Sequence, residues 1–399
     1  MKTAETLALF EKHVAANYTR LPIVVVRGAG SEVWDADGRR YIDLFPGWAV
    51  SGLGHCHPLV VEAIREQAGR LIHIANNFHN EPQGLLAEQV SKRSFGGKCF
   101  FCNSGAEANE AAFKLARLFG VAQGRFKFVS MLNSFPGRTF AAVTATGQEK
   151  YRQGFAPLVP GFSYAPFNDL AAVEKLVDQE TAGVILEPIQ GEGGINIAAP
   201  DYLKGLRELC DRTGCLLILD EVQTGVGRTG EWFGYQHYGV TPDIMTLAKT
   251  LGGGVPIGAM VARPEVAASL KPGTHASTFG GNPLAAAAGL AVFRAIEKEN
   301  LLSNARRLGV YLMEKLRALA ELHPGLVREV RGKGLMVGME LTRPGAKLAE
   351  ACLKAGLLVN CTHESVMRFT PAMNISRELL DEGLGVFAGC LAEFATGKK

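Results

Sequence analysis

Two short apolar runs set the frame for this chain. Leu216–Leu219 stops on a carboxylate, Asp220, and Ile244–Leu247 stops two residues before Lys249. A continuous apolar run that ends in a charge reads as a parallel strand buried on both faces, delivering one side chain to the crevice at its carboxyl end. Strand-like and helix-like segments alternate around these two: Lys98–Phe101, Glu107–Phe119, Phe126–Met131, Thr139–Thr144, Ala171–Val177, Ala182–Leu186, Asp201–Cys210 and Gly258–Ala262. Within Glu107–Phe119 the apolar positions Ala108, Ala111, Ala112 and Leu115 have helical spacing. The alternation predicts an α/β domain built on a mostly parallel sheet.

The flanks follow other rhythms. Leu7, Phe10 and Val14 keep a helical spacing that is then lost. Ile23–Arg27, Gly30–Trp34 and Arg40–Leu44 read as short strands around a turn at Asp37-Gly38, an antiparallel meander. Leu59–Leu71 and residues 79–94 read as helices, and Asn282-Pro283 opens a longer one, with proline where its missing N–H costs nothing. Shorter units then alternate: Leu302–Leu319, Val327–Arg331, Leu335–Leu341, Leu348–Ala355, Leu357–Asn360, Val366–Phe369 and Arg377–Phe394. The expected organisation is a large cofactor-binding α/β domain over residues 50–290 and a smaller α+β domain from residues 1–49 and 291–399. No internal repeat points to a solenoid.

Composition narrows the function classes. A net charge of +3, with basic residues neither in excess nor clustered, argues against a nucleic-acid surface. No apolar run approaches the ~18 residues of a membrane span and no signal-peptide pattern is seen, so a cytoplasmic protein without membrane contact is expected. The eight cysteines are mostly scattered, and the one CxxC, Cys99 to Cys102, lacks a second pair, which predicts reduced, packed thiols. His55 and His57 lack a third ligand, so no metal site is expected.

The strand ends carry the chemistry. Asp220 and Lys249, opening on one crevice, present an acid and an amine to the same ligand. That pairing suits pyridoxal phosphate: the aspartate keeps the pyridine nitrogen protonated and the lysine forms the Schiff base. Between strand Lys98–Phe101 and the next helix, the turn Cys102-Asn103-Ser104-Gly105-Ala106 reads equally as an anion site at a helix N-terminus or as an ordinary N-cap. Three further strand-end loops face the same way: Asn133–Thr139, Glu187–Gly194 and Asp220–Gln223. An aromatic there can stack on a flat ring, and an arginine can fork a carboxylate.

The stretches GRRYIDL, GLGHCHP, CNSGAEANEAAFKLAR, NSFPGRT, LEPIQGEGG, ILDEVQTGVGRTG, PDIMTLAKTLGGGVPIGA, STFGGNPL and MRFTP occur in that order over nearly the whole chain. In them the sequence resembles the class III, fold-type I pyridoxal-phosphate aminotransferases, most closely the acetylornithine and ornithine branch. The resemblance implies that Lys249 is the Schiff-base lysine and proton shuttle, that Asp220 pairs with the pyridine nitrogen, and that Gln223 bonds the cofactor's 3-oxygen. It implies that Ser104, Gly105 and Ala106 hold the phosphate, that Phe135 stacks on the ring, and that Thr278 reaches the phosphate of a neighbouring subunit in a homodimer with shared active sites. For substrate it implies Arg138 on the α-carboxylate of the donor, Arg368 on that of glutamate or 2-oxoglutarate, Glu192 paired with Arg368 when that site is empty, and Tyr18 near the substrate carboxylate.

Two positions depart from the family pattern. Pro136 stands where a histidine or another ring usually precedes Gly-Arg, removing an N–H and stiffening the loop. Trp48 stands where acetylornithine enzymes carry a small aliphatic residue and ornithine enzymes a tyrosine, which would narrow the substrate channel. The implied reaction moves the ω-amino group of N-acetylornithine, or a similar ω-amino acid, to 2-oxoglutarate in arginine biosynthesis. The rivals are an aminotransferase for ornithine, 4-aminobutyrate or a lysine-pathway semialdehyde, an aminomutase, and a non-catalytic module that kept the fold.

Overall fold

The computed structural model describes residues 2–397; Met1 and Lys398–Lys399, the ends of the expected small domain, lie outside it. Its centre is a seven-stranded sheet in the order Lys98–Cys102, Gly258–Ala262, Ile244–Leu247, Leu216–Asp220, Thr181–Leu186, Lys127–Met131, Phe162–Ala165. Gly258–Ala262 is antiparallel to both neighbours, and the other six strands run one way. Every residue of Thr181–Leu186, Leu216–Asp220, Ile244–Leu247 and Gly258–Ala262 is buried. Both faces of these strands are therefore covered, which is why they read as unbroken apolar runs rather than as alternating ones.

Alternation still sorts the side chains between the two faces. Leu217 and Leu219 join the larger core cluster, while Leu216 and Ile218 join a second one with Ala111, Ala112, Phe113 and Leu115 of helix Gly105–Gly120. A strand sends successive side chains to opposite faces. Asp220, two residues beyond Ile218, therefore falls on the helix side. The parallel register sets Asp220 beside Thr246 of the neighbouring strand. The alanines at 108, 111, 112 and 116, all fully buried, let the helix backbone lie close to the sheet.

The predicted meander is present as Val25–Ala29, Glu32–Asp35 and Arg40–Asp43, with Gly38 in the left-handed region at the turn. Its fourth strand comes from the far end of the chain: Leu357–Leu358 pairs parallel with Arg40–Asp43. The expected single element Leu357–Asn360 is thus two. After Val359 the chain changes sheets, and Asn360–Thr362 pairs with Val366–Phe369 in a sheet completed by Met336–Leu341 and Val327–Lys333. The edge strand Phe162–Ala165 escapes the sequence pattern because it is only four residues long and mostly half-buried. The N-terminal helix Thr3–His13 forms as its spacing predicts, but none of its residues is buried.

One buried arginine ties the loop after Asp220 to the C-terminal sheet. Arg228 has no carboxylate partner among the described residues; instead Nη1 donates to the carbonyls of Leu335 and Thr370, each at 3.2 Å, and of Pro371. Burial pushes its guanidinium down to about 10. Removing the donor strands three buried acceptors, each worth roughly 1–3 kcal/mol when left unpaired. Arg228→Ala is expected to lower the urea midpoint by an amount equivalent to about 3 kcal/mol or more, with Arg228→Lys recovering part of it. An unchanged midpoint for Arg228→Ala would show that the three carbonyls do not depend on this side chain.

Candidate active site

The carboxyl ends of the parallel strands open on one cavity of about 440 Å³. Its wall includes Ser104, Gly105, Ala106, Phe135, Arg138, Asp220, Gln223 and Lys249, eight of the residues expected from the sequence, together with Glu187 and Pro136. The other expected residues lie elsewhere. Glu192 and Arg368 sit behind Gln223. Trp48 is half exposed in a left-handed turn, edge-on to Phe45 at 6.1 Å. Tyr18 is exposed against Arg20. Thr278 is also exposed, on a loop anchored through Ser277 to Asn103, and does not line the cavity of its own chain. The two histidines are drawn apart: His55 pairs with Asp43 at 2.8 Å and His57 with Glu299 at 3.0 Å.

At the head of the cavity Ser104 caps helix Gly105–Gly120, its Oγ accepting the Glu107 amide at 3.2 Å. The amides of Gly105 and Ala106 are the first two of that helix and have no carbonyl acceptor within it. They add the positive end of the helix dipole to the cavity wall, which favours an anion. Gly258 permits the turn: a Cβ there would stand 2.4 Å from the Ser104 carbonyl oxygen.

Asp220 is buried and held from two sides. Its Oδ1 accepts the Val222 amide at 3.0 Å and its Oδ2 accepts Asn109 Nδ2 at 2.8 Å. Burial pushes its carboxyl up, and the donors and the Lys249 charge pull it back only in part. Glu187 receives the amides of Phe135 at 3.0 Å and Gly191 at 2.9 Å, yet burial and the charge of Asp220 raise it well above the usual carboxylate range.

Lys249 begins a short 3₁₀ turn with φ 50°, a left-handed conformation that a side chain other than glycine rarely adopts. Such strain persists where the surroundings over-determine it, as at a functional site; here Thr250 Oγ1 is bonded to the Ala49 carbonyl at 3.1 Å. Burial pushes the Lys249 amine down to about 8, with Glu192 pulling it up and Arg368 down. Near neutral pH its neutral form is therefore far more accessible than that of an exposed lysine.

The charged groups behind and beside the cavity differ in exposure. Arg138 is exposed, makes no ion pair among the described residues, and lies 4.0 Å from the Tyr151 ring centre and 5.1 Å from that of Phe135. Arg368 is fully buried: Nη1 donates to Glu192 Oε1 at 2.6 Å, Nε and Nη2 share Asn360 Oδ1 at 3.1 and 2.8 Å, and Phe45 lies 4.8 Å beneath the guanidinium. Burial alone would raise Glu192, but the charge and hydrogen bond of Arg368 outweigh it and hold the carboxyl below its ordinary value. Gln223 joins the pair to the cavity, its Oε1 accepting Arg368 Nη1 at 3.4 Å. Gly191 leaves room for it, since a Cβ there would stand 2.2 Å from Gln223 Oε1.

Sequence reasoning missed Asn109, Thr246, Asn360, Phe45 and Tyr151, and treated Glu187 only as part of a loop. Asn109 carried a signal: a lone amide among Ala108, Ala111 and Ala112 on the apolar face of a helix has to find buried partners. The others act across elements that only the fold brings together.

The donor set fits pyridoxal phosphate: an anion-binding turn at one end, a fixed carboxylate, a flat aromatic and a partly neutral amine around one cavity. The description "Aminotransferase class-III" matches residues 13–391 of the chain. The acetylornithine aminotransferase of Caldanaerobacter subterraneus subsp. tengcongensis is 52% identical over 387 residues, covering 96% of this chain and 98% of that protein. That of Aquifex aeolicus is 49% identical over 93% of this chain and 97% of its own. Among solved structures, the ornithine aminotransferase of Toxoplasma gondii ME49 aligns with a TM-score of 0.95 at 34% identity, covering 100% of this chain and 97% of that one. The acetylornithine aminotransferase of Elizabethkingia anophelis aligns with a TM-score of 0.88 at 34% identity, covering 99% and 100%. The chain belongs to the class-III aminotransferase family, with pyridoxal phosphate as its cofactor.

Proposed function

We propose that this protein moves the ω-amino group of N-acetylornithine to 2-oxoglutarate, releasing glutamate and a semialdehyde, as a step of arginine biosynthesis. The observation that carries the reading is the pairing of buried Arg368 with Glu192 behind Gln223, set against an exposed Arg138 in the cavity wall that makes no ion pair among the described residues. Relatives about half identical over nearly the whole chain, which bear the name acetylornithine aminotransferase, support the choice of donor.

Pyridoxal phosphate, when bound, supplies the electron sink for the pair left at the substrate's amine-bearing carbon. The residues of the chain do the rest. Ser104 Oγ already accepts the Glu107 amide, so its hydroxyl proton is free to join the amides of Gly105 and Ala106 on the phosphate. Asp220, with an oxygen fixed by Val222 and the other by Asn109, holds a proton on the pyridine nitrogen. Phe135 stacks on the ring, and Gln223, its oxygen turned to Arg368, offers an amide N–H to the 3-oxygen. Lys249 anchors the cofactor and, as a neutral amine, takes the proton from the amine-bearing carbon and later returns it. Arg138 forks the donor's α-carboxylate. Glu192 neutralises Arg368 while the long donor is bound, because an unpaired buried guanidinium is costly; the α-carboxylate of 2-oxoglutarate replaces it in the second half-reaction.

Tyr18 and Trp48 complete the substrate entrance in this reading, and Thr278 serves the phosphate of a second copy, which makes the working unit a homodimer. Residues 50–290 act as the cofactor-binding body, and residues 1–49 and 291–399 as the smaller domain. The proposed setting is cytoplasmic; no helix among the described residues is long and apolar enough to cross a membrane.

Three measurements check this account. In single-turnover reactions with a panel of ω-amines, N-acetylornithine should convert the bound cofactor fastest; faster conversion by ornithine or 4-aminobutyrate would overturn the assigned donor. Arg368→Ala should slow the 2-oxoglutarate half-reaction on the order of 100-fold, the size of one lost buried charged contact, and the donor half much less; equal losses would remove its assigned role. Capture of added pyridoxal phosphate by the apo-protein, trapped with borohydride and read by mass, should rise with pH because only the neutral amine attacks. Its midpoint should lie near 8, where burial places Lys249, and a midpoint at the roughly 10.4 of an exposed lysine would refute the assigned environment.

A further inference from the structure

Asn109 is fully buried on the helix that Ser104 caps, and its amide reaches three different elements. One N–H goes to Asp220 Oδ2 at 2.8 Å, the other to the Pro136 carbonyl at 2.7 Å, and Oδ1 accepts the Thr246 hydroxyl at 2.8 Å. Three of its four hydrogen-bonding positions are thus filled. No other side chain of this volume offers the same set: leucine has no donor, and aspartate has no N–H.

Pro136 lies between Phe135 and Gly137-Arg138, and without an N–H its only backbone hydrogen-bonding group is the carbonyl that Asn109 holds. The next residue of the helix grips the far side of the same loop: Glu110 Oε1 accepts Thr139 Oγ1 at 2.5 Å and the amides of Ala141 at 2.9 Å and Ala142 at 3.2 Å. Gly137 fits directly against the helix, where a Cβ would stand 2.6 Å from that of Ala106. The loop bearing Phe135 and Arg138 is therefore fastened on both sides to the helix that also fixes Asp220.

We propose that Asn109 is a positioning residue that locks the Asp220 carboxylate to the backbone of the Phe135–Arg138 loop. The group facing the cofactor nitrogen and the group facing the donor's carboxylate then keep one relative geometry. This rests on the roles given above to Asp220 and Arg138. Both half-reactions use Asp220, so loosening it slows both, whereas loosening the loop weakens binding of the carboxylate donor.

The test uses the cofactor-loaded protein and the apo-protein with Asn109→Ala, Asn109→Asp, Thr246→Val and Asp220→Asn. Asn109→Ala should lower kcat in both half-reactions on the order of 10–100-fold, the range for one lost hydrogen bond to a buried charge. It should also raise KM for the amino donor and weaken cofactor rebinding to the apo-protein, followed by fluorescence. Because a donor to the carboxylate favours its ionised form, losing that donor should shift the acid limb of the pH profile upward. Asn109→Asp should shift it further, since two carboxylates would then meet. Thr246→Val, which keeps both N–H bonds, should show the same changes at smaller size, and it serves if the Asn109 variants do not fold. A lowered Tm in Asn109→Ala or Thr246→Val with the acid limb, kcat and donor KM unchanged would overturn the proposal and leave Asn109 a packing residue. Full activity in Asp220→Asn would overturn the role of Asp220 itself, a different failure.

Discussion

The close packing of helix Gly105–Gly120 on the central sheet is the constraint from which the site follows. Small residues at 108, 111, 112 and 116 bring the helix down onto strands whose even-numbered side chains, Leu216 and Ile218, fill the gap beneath it. The next even position is Asp220, and a carboxylate arriving there takes one donor from its own loop, the Val222 amide, and a second from the helix. That is Asn109, one and a half turns from the Ser104 cap. A single rigid rod thus sets the distance between the anion-binding turn and the acid, two points that a flat phosphorylated ring must span.

Electrostatics inside the cavity are balanced between unlike groups. Asp220, Glu187 and Arg368 are buried and Glu192 and Lys249 mostly so, and an isolated charge away from water is costly. Glu192 and Arg368 resolve this by pairing. Glu187 and Asp220 resolve it partly by accepting amides and partly by moving toward their neutral forms. Lys249 moves toward its neutral form as well. Of the two cations in the cavity wall, Lys249 is largely buried and Arg138 stays exposed, flanked by two rings.

Much of this was legible in the chain because the signals were local. A doubly buried strand must be apolar throughout, so Leu216–Leu219 and Ile244–Leu247 announced themselves, and the charges at their ends stood out. The turn at Ser104 follows from small residues between a strand and a helix. What the sequence hid depends on which faces meet. Thr246 matters only because the register sets it beside Asp220, and Asn360 only because the chain changes sheets after Val359. The left-handed Lys249 backbone has no local marker, since no glycine or asparagine stands there. Trp48 was read as a wall of the channel; within a single chain it is half exposed, and its link to the site runs through Phe45 beneath Arg368.

The strand pairing of Leu357–Leu358 with Arg40–Asp43 bears on how the molecule is made. The meander is synthesised long before Leu357–Leu358 and cannot complete its sheet until that strand has followed. Contacts so distant in sequence are slow to form, because a long loop must close before any of them is rewarded. Until then the Arg40–Asp43 edge stands unpaired, an open template of backbone donors and acceptors of the kind that invites wrong partners. An early-made segment therefore waits for a late one, and the nascent chain carries an exposed seam until Leu357–Leu358 arrives.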